Sequence, residues 1–391
     1  MPQDHPPVPA GPVDVAQLTA QLIRCPSVTP EEGGALVLLT GVLEAAGFET
    51  WRCDRNGTPN LFARWGAQDA ERKLGFNGHT DVVPPGDEAS WTHPPFSAHL
   101  EDGILWGRGA TDMKSGVAAF VGAACDFVRA TPPEDGAVII TITGDEEGKA
   151  HDGTTAILDW MAERGEQMDA CIVGEPTCPE HFGDMMKIGR RGSVTFRVEA
   201  TGVQGHVAYP DRARNPVHGL VRLLDHLVAT PLDQGSAHFQ PSGLQVVSVD
   251  VGNPSTNVIP QTARATFNIR FNDAHDPASL LQLVEDAAAR IGAETGIGFE
   301  IVQEISGDSF VTAPGPFVDL VRNAVAEISG VTPELSTSGG TSDARFIKNH
   351  CPVVEFGLVG RGMHQVDEHV PVAEIEALRD VYRRVLEQYF A

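Results

Sequence analysis

Histidine and carboxylate residues recur in short motifs along the chain, and these residue types hold catalytic divalent cations. The motifs are Gly78-His79-Thr80-Asp81, Gly107–Lys114 with Asp112, Gly144–Gly148 with Glu146 and Glu147, Val173–Pro176 with Glu175, and Met363–Glu368 with His364. They offer nitrogen and oxygen ligands without a thiolate, which is typical of catalytic rather than structural zinc sites. Together they predict a site for zinc, and Co²⁺ or Mn²⁺ would also suit these ligands.

Each motif taken singly has a simpler interpretation. His79 and Asp81 would form a turn, Asp112 would cap the following helix, and Glu146 with Glu147 would form a solvated acidic turn. Two features favour a metal site over these simpler interpretations. His79 and Asp81 face one side of an extended chain, as a metal-bound histidine and its orienting carboxylate would. Asp112 has the two oxygens that a bridge between two cations requires.

The elements that must position these motifs are predicted from apolar periodicity. Strands that end at the motifs are expected at Leu74–Asn77, Ala137–Thr143, Ala170–Val173 and Val353–Phe356. Helices are expected at Val13–Arg24, Glu31–Gly47, Lys114–Arg129, Thr154–Arg164, Phe317–Ser329 and Val372–Tyr389. This alternation predicts an α/β fold with a mostly parallel central sheet flanked by helices. In such sheets ligands bind beyond the carboxyl ends of the strands.

A different order of strands and helices begins near residue 192 and predicts an inserted domain. Its expected elements are strand Ser193–Ala200, helix Asn215–Thr230, strands Leu244–Val251 and Ala263–Phe271, helix Pro277–Ile291 and strand Gly298–Ile305. The order βαββαβ is ferredoxin-like. We therefore predict a discontinuous catalytic domain at 1–191 and 304–391 and an inserted α+β domain at 192–303.

Composition narrows the class of partner and the compartment. The chain has 391 residues, with 28 basic and 53 acidic side chains and a formal charge of −25, which argues against nucleic acid or an anionic membrane as partner. No apolar run is long enough to span a membrane, and residues 1–12 lack a signal peptide pattern and predict a disordered leader. The six scattered cysteines indicate reduced thiols and a cytoplasmic location.

The motifs together resemble those of the dizinc aminoacylase/carboxypeptidase-type metallohydrolases, from about Val15 to the C-terminus. The stretches that carry the resemblance are His79–Gly86, Gly107–Lys114, Gly144–Glu147, Val173–Pro176, Gly189–Ser193, Gly205–Pro210, Asn257–Pro260, Gly339–Asp343 and Met363-His364. Arg190–Ser193, His206–Pro210 and Gly339–Asp343 are similar, more narrowly, to the members that remove a succinyl group from diaminopimelate.

The resemblance implies two Zn²⁺ ions, with Co²⁺ able to replace zinc in one site. It implies that His79, Asp112 and Glu175 hold one ion and that His364, Asp112 and Glu147 hold the other. Asp112 would be the bridge, and its bond to Met113 is expected to be a cis peptide. In addition, Asp81 would orient His79, Glu146 would be the general acid/base, and His206 would stabilise the oxyanion in the active site of a partner subunit.

The implied activity is hydrolysis of the amide bond of N-succinyl-LL-2,6-diaminopimelate, giving succinate and LL-2,6-diaminopimelate for lysine biosynthesis. Substrate-binding candidates from the same motifs are Arg190, Ser193, Tyr209, Asn257, Arg270 and Thr341. The inserted domain is expected to form a homodimer and to act as a lid. Alternatives are an acetylornithine deacetylase, another acyl-amino-acid amidohydrolase or a dipeptidase of the same family. A non-catalytic metal-binding protein is a further alternative, which the proton-transferring Glu146 disfavours.

Overall fold

In the computed structural model of the protein, the described residues are 11–391, so the predicted leader lies almost wholly outside them. The chain forms two compact units. The first comprises the described residues up to Gly189 together with Thr312–Ser336 and Ser342–Ala391. The second comprises Arg190–Val311 and Thr337–Thr341. Within the described range, no helix has the length and apolar character needed to cross a bilayer.

Helices and strands alternate along most of residues 11–391. The helices are α1 (Val15–Ile23), α2 (Ala35–Ala45), α3 (Lys114–Ala130), α4 (Thr154–Arg164), α5 (Pro216–Ala229), α6 (Pro277–Thr295), α7 (Pro316–Ser329), α8 (Ala344–Ile347) and α9 (Val372–Tyr389). The strands are β1 (Glu49–Arg52), β2 (Asn60–Trp65), β3 (Arg72–His79), β4 (His99–Glu101), β5 (Ile104–Trp106), β6 (Gly136–Thr143), β7 (Ala170–Val173), β8 (Met185–Lys187), β9 (Gly189–Arg190), β10 (Gly192–Thr201), β11 (Gly205–His206), β12 (Gly243–Asp250), β13 (Val258–Ile259), β14 (Thr262–Phe271), β15 (Gly298–Gly307), β16 (Phe310–Val311), β17 (Glu334–Ser336), β18 (Val353–Glu355) and β19 (His369–Pro371).

The first unit is built on an eight-stranded sheet in the order β1-β2-β6-β3-β7-β18-β8-β17. Its centre, from β6 to β18, is parallel. On one side of this centre, β2 is antiparallel to both of its neighbours, β6 and β1. On the other side, β8 is antiparallel to β18. The predicted α/β class with a central parallel sheet is therefore confirmed, and the whole sheet is mixed.

Helices cover both faces of this sheet. On one face the Phe76 ring lies 5.5 Å from the ring of Phe120 in α3 and 5.4 Å from that of Tyr382 in α9. The next residue of β3, Asn77, points to the other face and donates a 3.2 Å hydrogen bond to Thr154 at the start of α4. Because both faces are covered, every residue of β6 is buried, which explains its nearly continuous apolar sequence.

The parallel centre brings distant parts of the sequence to one edge. Adjacent strands β6, β3 and β7 end at Thr143, His79 and Val173, so their carboxyl ends lie side by side. Helix α3 packs closely here, since a Cβ on Gly116 would lie 2.5 Å from the carbonyl oxygen of Gly174. The predicted motifs follow these strand ends directly.

The second unit has the predicted order β10-α5-β12-β14-α6-β15 with three short strands, β11, β13 and β16, added. Its antiparallel sheet has the strand order β12-β14-β10-β15. Alternate residues of β10 and β14 are buried in a core with α5 and α6. The opposite face of the sheet is polar and carries cross-strand ion pairs such as Arg264–Glu199.

Candidate metal centre

The two oxygens of Asp112 point to two different histidines. Oδ1 lies 3.2 Å from His79 Nε2, and Oδ2 lies 3.2 Å from His364 Nε2. Two ligands of one tetrahedral cation, at bond lengths of about 2.0–2.1 Å, lie about 3.3–3.4 Å apart. Each histidine–oxygen pair thus has the spacing of two ligands on one ion. The Asp112–Met113 peptide bond is cis, as the resemblance implied.

Two glutamates complete the two groups of donor atoms. Glu147 Oε1 lies 2.8 Å from His364 Nε2, and Glu175 Oε1 lies 3.9 Å from His79 Nε2. Ligand atoms of His79, Glu146 and Glu175 lie within 4.8 Å of one another, as do those of His79, Asp112 and Glu147. The five predicted ligands are therefore brought together, and Glu146 lies beside them. This nitrogen and oxygen donor set fits divalent cations.

Protonation of the histidines reflects the same geometry. Burial alone would lower the pKa of His79, but the hydrogen bond to Asp112 and the charge of Glu175 raise it well above its usual value. Hydrogen bonds to Asp112 and Glu147 raise the pKa of His364 to about 10. Despite its burial, which favours the neutral acid, Asp112 has a lowered pKa because both histidines hydrogen-bond to it. Without a cation, the histidines thus hold protons where the cations would sit.

The carboxylates of Glu146 and Glu175 are pushed towards the neutral form. Burial raises the pKa of Glu146 to about 8, and the nearby Asp343, Asp112 and Glu147 add to the shift. Burial likewise raises the pKa of Glu175 well above its usual value, and Asp112 adds to it. A general acid/base near neutrality is suited to accepting and returning a proton. Without a cation, the pKa of Glu146 lies close to that range.

Asp81 holds the loop of Glu146 and Glu147 more directly than it holds His79. Its carboxylate accepts hydrogen bonds from the backbone N–H groups of Glu146 (3.2 Å) and Glu147 (3.0 Å) and from the hydroxyl of Thr29 (2.6 Å). His79 Nδ1 lies 2.8 Å from the Asp81 main-chain carbonyl and 3.6 Å from its carboxylate. The expected carboxylate contact with His79 is therefore replaced by a backbone contact.

Two residues of the site have no role in the sequence interpretation. Asp343, in the Gly339–Asp343 motif, is buried and accepts a 2.7 Å hydrogen bond from Thr154, and burial raises its pKa to about 6. Glu368, in the His364 motif, is wholly buried and ion-paired with Arg108 at 2.6 Å. The sequence could have indicated Glu368, because this carboxylate is the last residue of the motif that contains His364.

The predicted substrate residues form two groups within the second unit. Asn257 accepts a 3.1 Å hydrogen bond at its carbonyl from Val207, next to His206, whose ring lies 5.7 Å from that of Tyr209. In the other group, Ser193 lies opposite Arg270 in the β10–β14 register. Arg190 donates a 3.1 Å hydrogen bond to the carbonyl of Gly340, the neighbour of Thr341. The metal-ligand predictions all fall in the first unit.

A second histidine cluster lies at β4, where His99 and Glu101 belong to the strand and His93 belongs to the loop before it. The rings of His93 and His99 stack with centroids 3.7 Å apart and 17° between their planes, and each Nε2 lies within 3.9 Å of Glu101 Oε2. An imidazole binds a metal through a ring nitrogen, in the plane of the ring. Ligand atoms of His93, His99 and Glu101 lie within 4.8 Å of one another, so this cluster is a second group of donor atoms that could hold a cation.

A family profile described as peptidase family M20/M25/M40 matches residues 75–388. The protein belongs to this peptidase family, which confirms the metallohydrolase resemblance. Among its relatives is the succinyl-diaminopimelate desuccinylase of Paracoccus denitrificans (strain Pd 1222). The two sequences are 67% identical over 378 residues, which cover 97% of this chain and 99% of that relative.

Solved structures share the fold at much lower identity. The aminopeptidase PepT from Bacillus cereus ATCC 10987 has a TM-score of 0.79 and 19% identity, over 96% of this chain and 98% of that one. The YXEP protein from Bacillus subtilis, described as a dinuclear metal binding peptidase from the M20 family, has a TM-score of 0.72 and 16% identity. That match covers 95% of this chain and 96% of YXEP.

Proposed function

We propose that this protein hydrolyses the amide bond of N-succinyl-LL-2,6-diaminopimelate, releasing succinate and LL-2,6-diaminopimelate for lysine biosynthesis. The proposal rests on the 67% identity with a succinyl-diaminopimelate desuccinylase over nearly the full length of both chains. The acid–histidine site at the carboxyl ends of β3, β6 and β7 supplies the residues that such an amide hydrolysis needs.

The cofactors of the proposed enzyme are two Zn²⁺ ions, with Co²⁺ able to replace zinc in one site. His79, Asp112 and Glu175 would hold one, and His364, Asp112 and Glu147 the other. The spacing of the two Asp112 oxygens from the two histidines supports this division. When bound, such ions lower the pKa of a water molecule and polarise the amide carbonyl.

Glu146 is the proton-transferring group of the proposed reaction. It accepts the proton of the attacking water, whose oxygen adds to the amide carbon. It then delivers that proton to the leaving nitrogen as the C–N bond breaks, so the amine departs neutral and succinate keeps the new oxygen. The pKa of Glu146 in the cation-free protein is about 8, and bound cations lower it, so the carboxylate can accept the proton near neutral pH.

Residues of the second unit are proposed to recognise the substrate. His206 donates a hydrogen bond to the oxyanion that develops on the amide oxygen in the active site of the partner subunit. The guanidinium groups of Arg190 and Arg270 bind carboxylates of the substrate, because the planar fork of arginine matches a carboxylate. The proposed polar contacts come from Ser193, Tyr209, Asn257 and Thr341. The cross-strand pairing of Ser193 with Arg270 supports their action on one group.

We also propose a cytoplasmic homodimer that forms through an inserted lid domain at 192–303. In support of association, edge strand β12 exposes Val247 and Val249, and α5 exposes Val221 and Val228. In support of a reducing compartment, all six cysteines are free. Light scattering coupled to gel filtration tests the dimer, and a fully active monomer would exclude it.

The decisive experiment is amide hydrolysis by the zinc-reconstituted protein, with N-succinyl-LL-diaminopimelate and N-acetylornithine assayed side by side. We expect strong preference for the succinyl substrate and loss of activity in a chelated control. Activity on acetylornithine alone would keep the reaction class and exclude the proposed substrate. Two bound cations without activity on either substrate would exclude the proposed function.

A further inference from the structure

Glu368 and Arg108 form a buried ion pair beside the proposed metal centre. Glu368 is 0% exposed and Arg108 is 2% exposed, and their Oε2 and Nη1 atoms are 2.6 Å apart. Removing two charges from water is costly, and a pair of apolar residues often serves stability as well or better. The contacts of this pair therefore indicate what it does beyond stabilising the fold.

The carboxylate of Glu368 holds the loop that ends in Asp112. Its Oε1 accepts hydrogen bonds from the backbone N–H groups of Thr111 (2.7 Å) and of Asp112 itself (3.1 Å). Its Oε2 accepts one from the N–H of Gly109 (3.2 Å) besides the Arg108 guanidinium. The bridging ligand thus has its own backbone fixed by a buried carboxylate.

Arg108 holds the loop that carries His364. Its guanidinium donates to the carbonyl oxygens of Gln365 (3.2 Å) and His364 (3.4 Å). His364 has a φ of +62°, a conformation that residues other than glycine rarely adopt. This loop therefore needs restraints from outside itself, and Arg108 supplies them.

The two loops are also joined through their backbones. The Gly107 N–H donates to the Glu368 carbonyl at 2.9 Å, and the Thr111 hydroxyl donates to the His369 carbonyl at 3.0 Å. The loops are far apart in sequence, since Arg108 and Glu368 are separated by 260 positions. The ion pair therefore sits at the centre of a cross-link between two ligands of one proposed cation.

We propose that Glu368 is a positioning residue that, through Arg108, sets the distance between Asp112 and His364 and thereby the affinity of the cation they share. Glu368 does not contact the reacting atoms. The proposal rests on the proposed function for the identity of the ligands. Groups that orient metal ligands typically change metal affinity or activity by about 10- to 100-fold when they are removed.

The test compares Glu368→Gln with Glu166→Gln in the full-length protein. Glu166 is a matched control because it is also a buried carboxylate paired with an arginine, Arg64, in the same unit. Arg64 lies opposite Ile139, near the start of β6 and away from the strand end that leads to Glu146. In Glu368→Gln the new amide group faces the Arg108 guanidinium and the Gly109 N–H, so donors oppose donors.

Each protein is titrated with Co²⁺ and followed by calorimetry and by the visible spectrum of the bound ion, alongside urea unfolding and steady-state kinetics. For Glu368→Gln we expect one of two cations to bind about 10- to 100-fold more weakly, with a changed Co²⁺ spectrum, a lower kcat and a nearly unchanged KM. Excess Co²⁺ should restore part of the lost kcat. Glu166→Gln should lose stability without a change in affinity or spectrum.

Unchanged Co²⁺ affinity and spectrum in Glu368→Gln would overturn the inference, as would the same changes in Glu166→Gln. If Glu368→Gln does not fold, Arg108→Lys takes its place, because lysine keeps the charge and loses the fork that reaches His364 and Gln365. A parent protein that binds two cations without hydrolysing the succinyl substrate would refute the proposed function alone. The cation measurements would then still decide the role of Glu368.

Discussion

His79 receives its orientation from the main chain of Asp81, whose carbonyl lies 2.8 Å from Nδ1, while the Asp81 carboxylate lies 3.6 Å away. That carboxylate instead accepts the N–H groups of Glu146 and Glu147. One residue thus links His79, the proposed metal ligand on β3, to the loop after β6 that carries the proposed acid/base Glu146. A change at Asp81 should therefore act chiefly on the placement of Glu146.

We expect Asp81→Asn to retain more activity than Asp81→Ala. Asparagine keeps one oxygen that can accept a backbone N–H of the Glu146 loop, whereas alanine keeps none. Both variants lose the negative charge near His79. We expect kcat to fall by about 10- to 100-fold in Asp81→Ala and by less in Asp81→Asn. Equal losses in the two variants would indicate that the charge, and not the loop contact, is what matters.

Glu146→Gln should abolish hydrolysis and leave cation binding intact. The amide is nearly isosteric with the carboxylate but cannot accept the proton of the attacking water. General acid–base groups contribute about 10²- to 10⁴-fold, so kcat should fall within or beyond that range. Calorimetry should still count two cations per chain. Full activity in this variant would remove Glu146 from the mechanism.

Cation-free protein should become less stable as the pH rises from about 6 to 9. The pKa of Glu146 is raised to about 8 and that of His364 to about 10, so the folded state holds protons that the unfolded state has released. Raised pKa values stabilise the fold at low pH, and that stabilisation is lost as the pH rises through the folded-state values.

Calorimetric melting in a chelator at pH 6 and pH 9 measures this slope. Cations replace the protons, so addition of Zn²⁺ should raise the melting temperature more at pH 9 than at pH 6. Glu146→Gln should have a shallower slope, because it lacks one of the titrating groups. A cation-free protein that is more stable at pH 9 than at pH 6 would contradict the assignment.

Arg270→Ala should impair the succinyl substrate selectively. We expect KM for N-succinyl-LL-diaminopimelate to rise about 10- to 100-fold, since a hydrogen bond to a charged group contributes about 1.5–3 kcal/mol. An acetyl substrate lacks the terminal carboxylate and should be little affected. Arg264→Ala is the matched control, because Arg264 lies on the same face of β14 and pairs with Glu199. Equal effects on both substrates would show that Arg270 does not bind the acyl group.

Much of the fold is predictable because its central strands are short apolar runs. The apolar run in β6 predicts a strand buried on both faces, and this is confirmed. Strand β2 was not predicted because it contains a charged residue, Arg64. This side chain is nevertheless buried, since it pairs with Glu166, which lies 102 positions away in the sequence. Three-residue strands such as β4 and β5 are too short to show a period.

For the site, residue type and strand ends predict which side chains meet, but not how they contact one another. The sequence indicates that His79 and Asp81 act together, yet the choice between carbonyl and carboxylate depends on the turn that follows β3. The role of Glu368 is hidden for a similar reason, since Arg108 is remote in sequence. The domain boundaries and the individual site assignments remain predictions.

The long separation between ligands has a consequence for synthesis of the chain. His364 is made 217 positions after Glu147, a delay of about 10–40 s at a translation rate of about 5–20 residues per second. In that interval most of the second unit, Arg190–Val311, leaves the ribosome as one continuous segment, whereas the first unit still lacks β18, α9 and one histidine. A nascent chain therefore completes the proposed metal centre only after His364 has been synthesised.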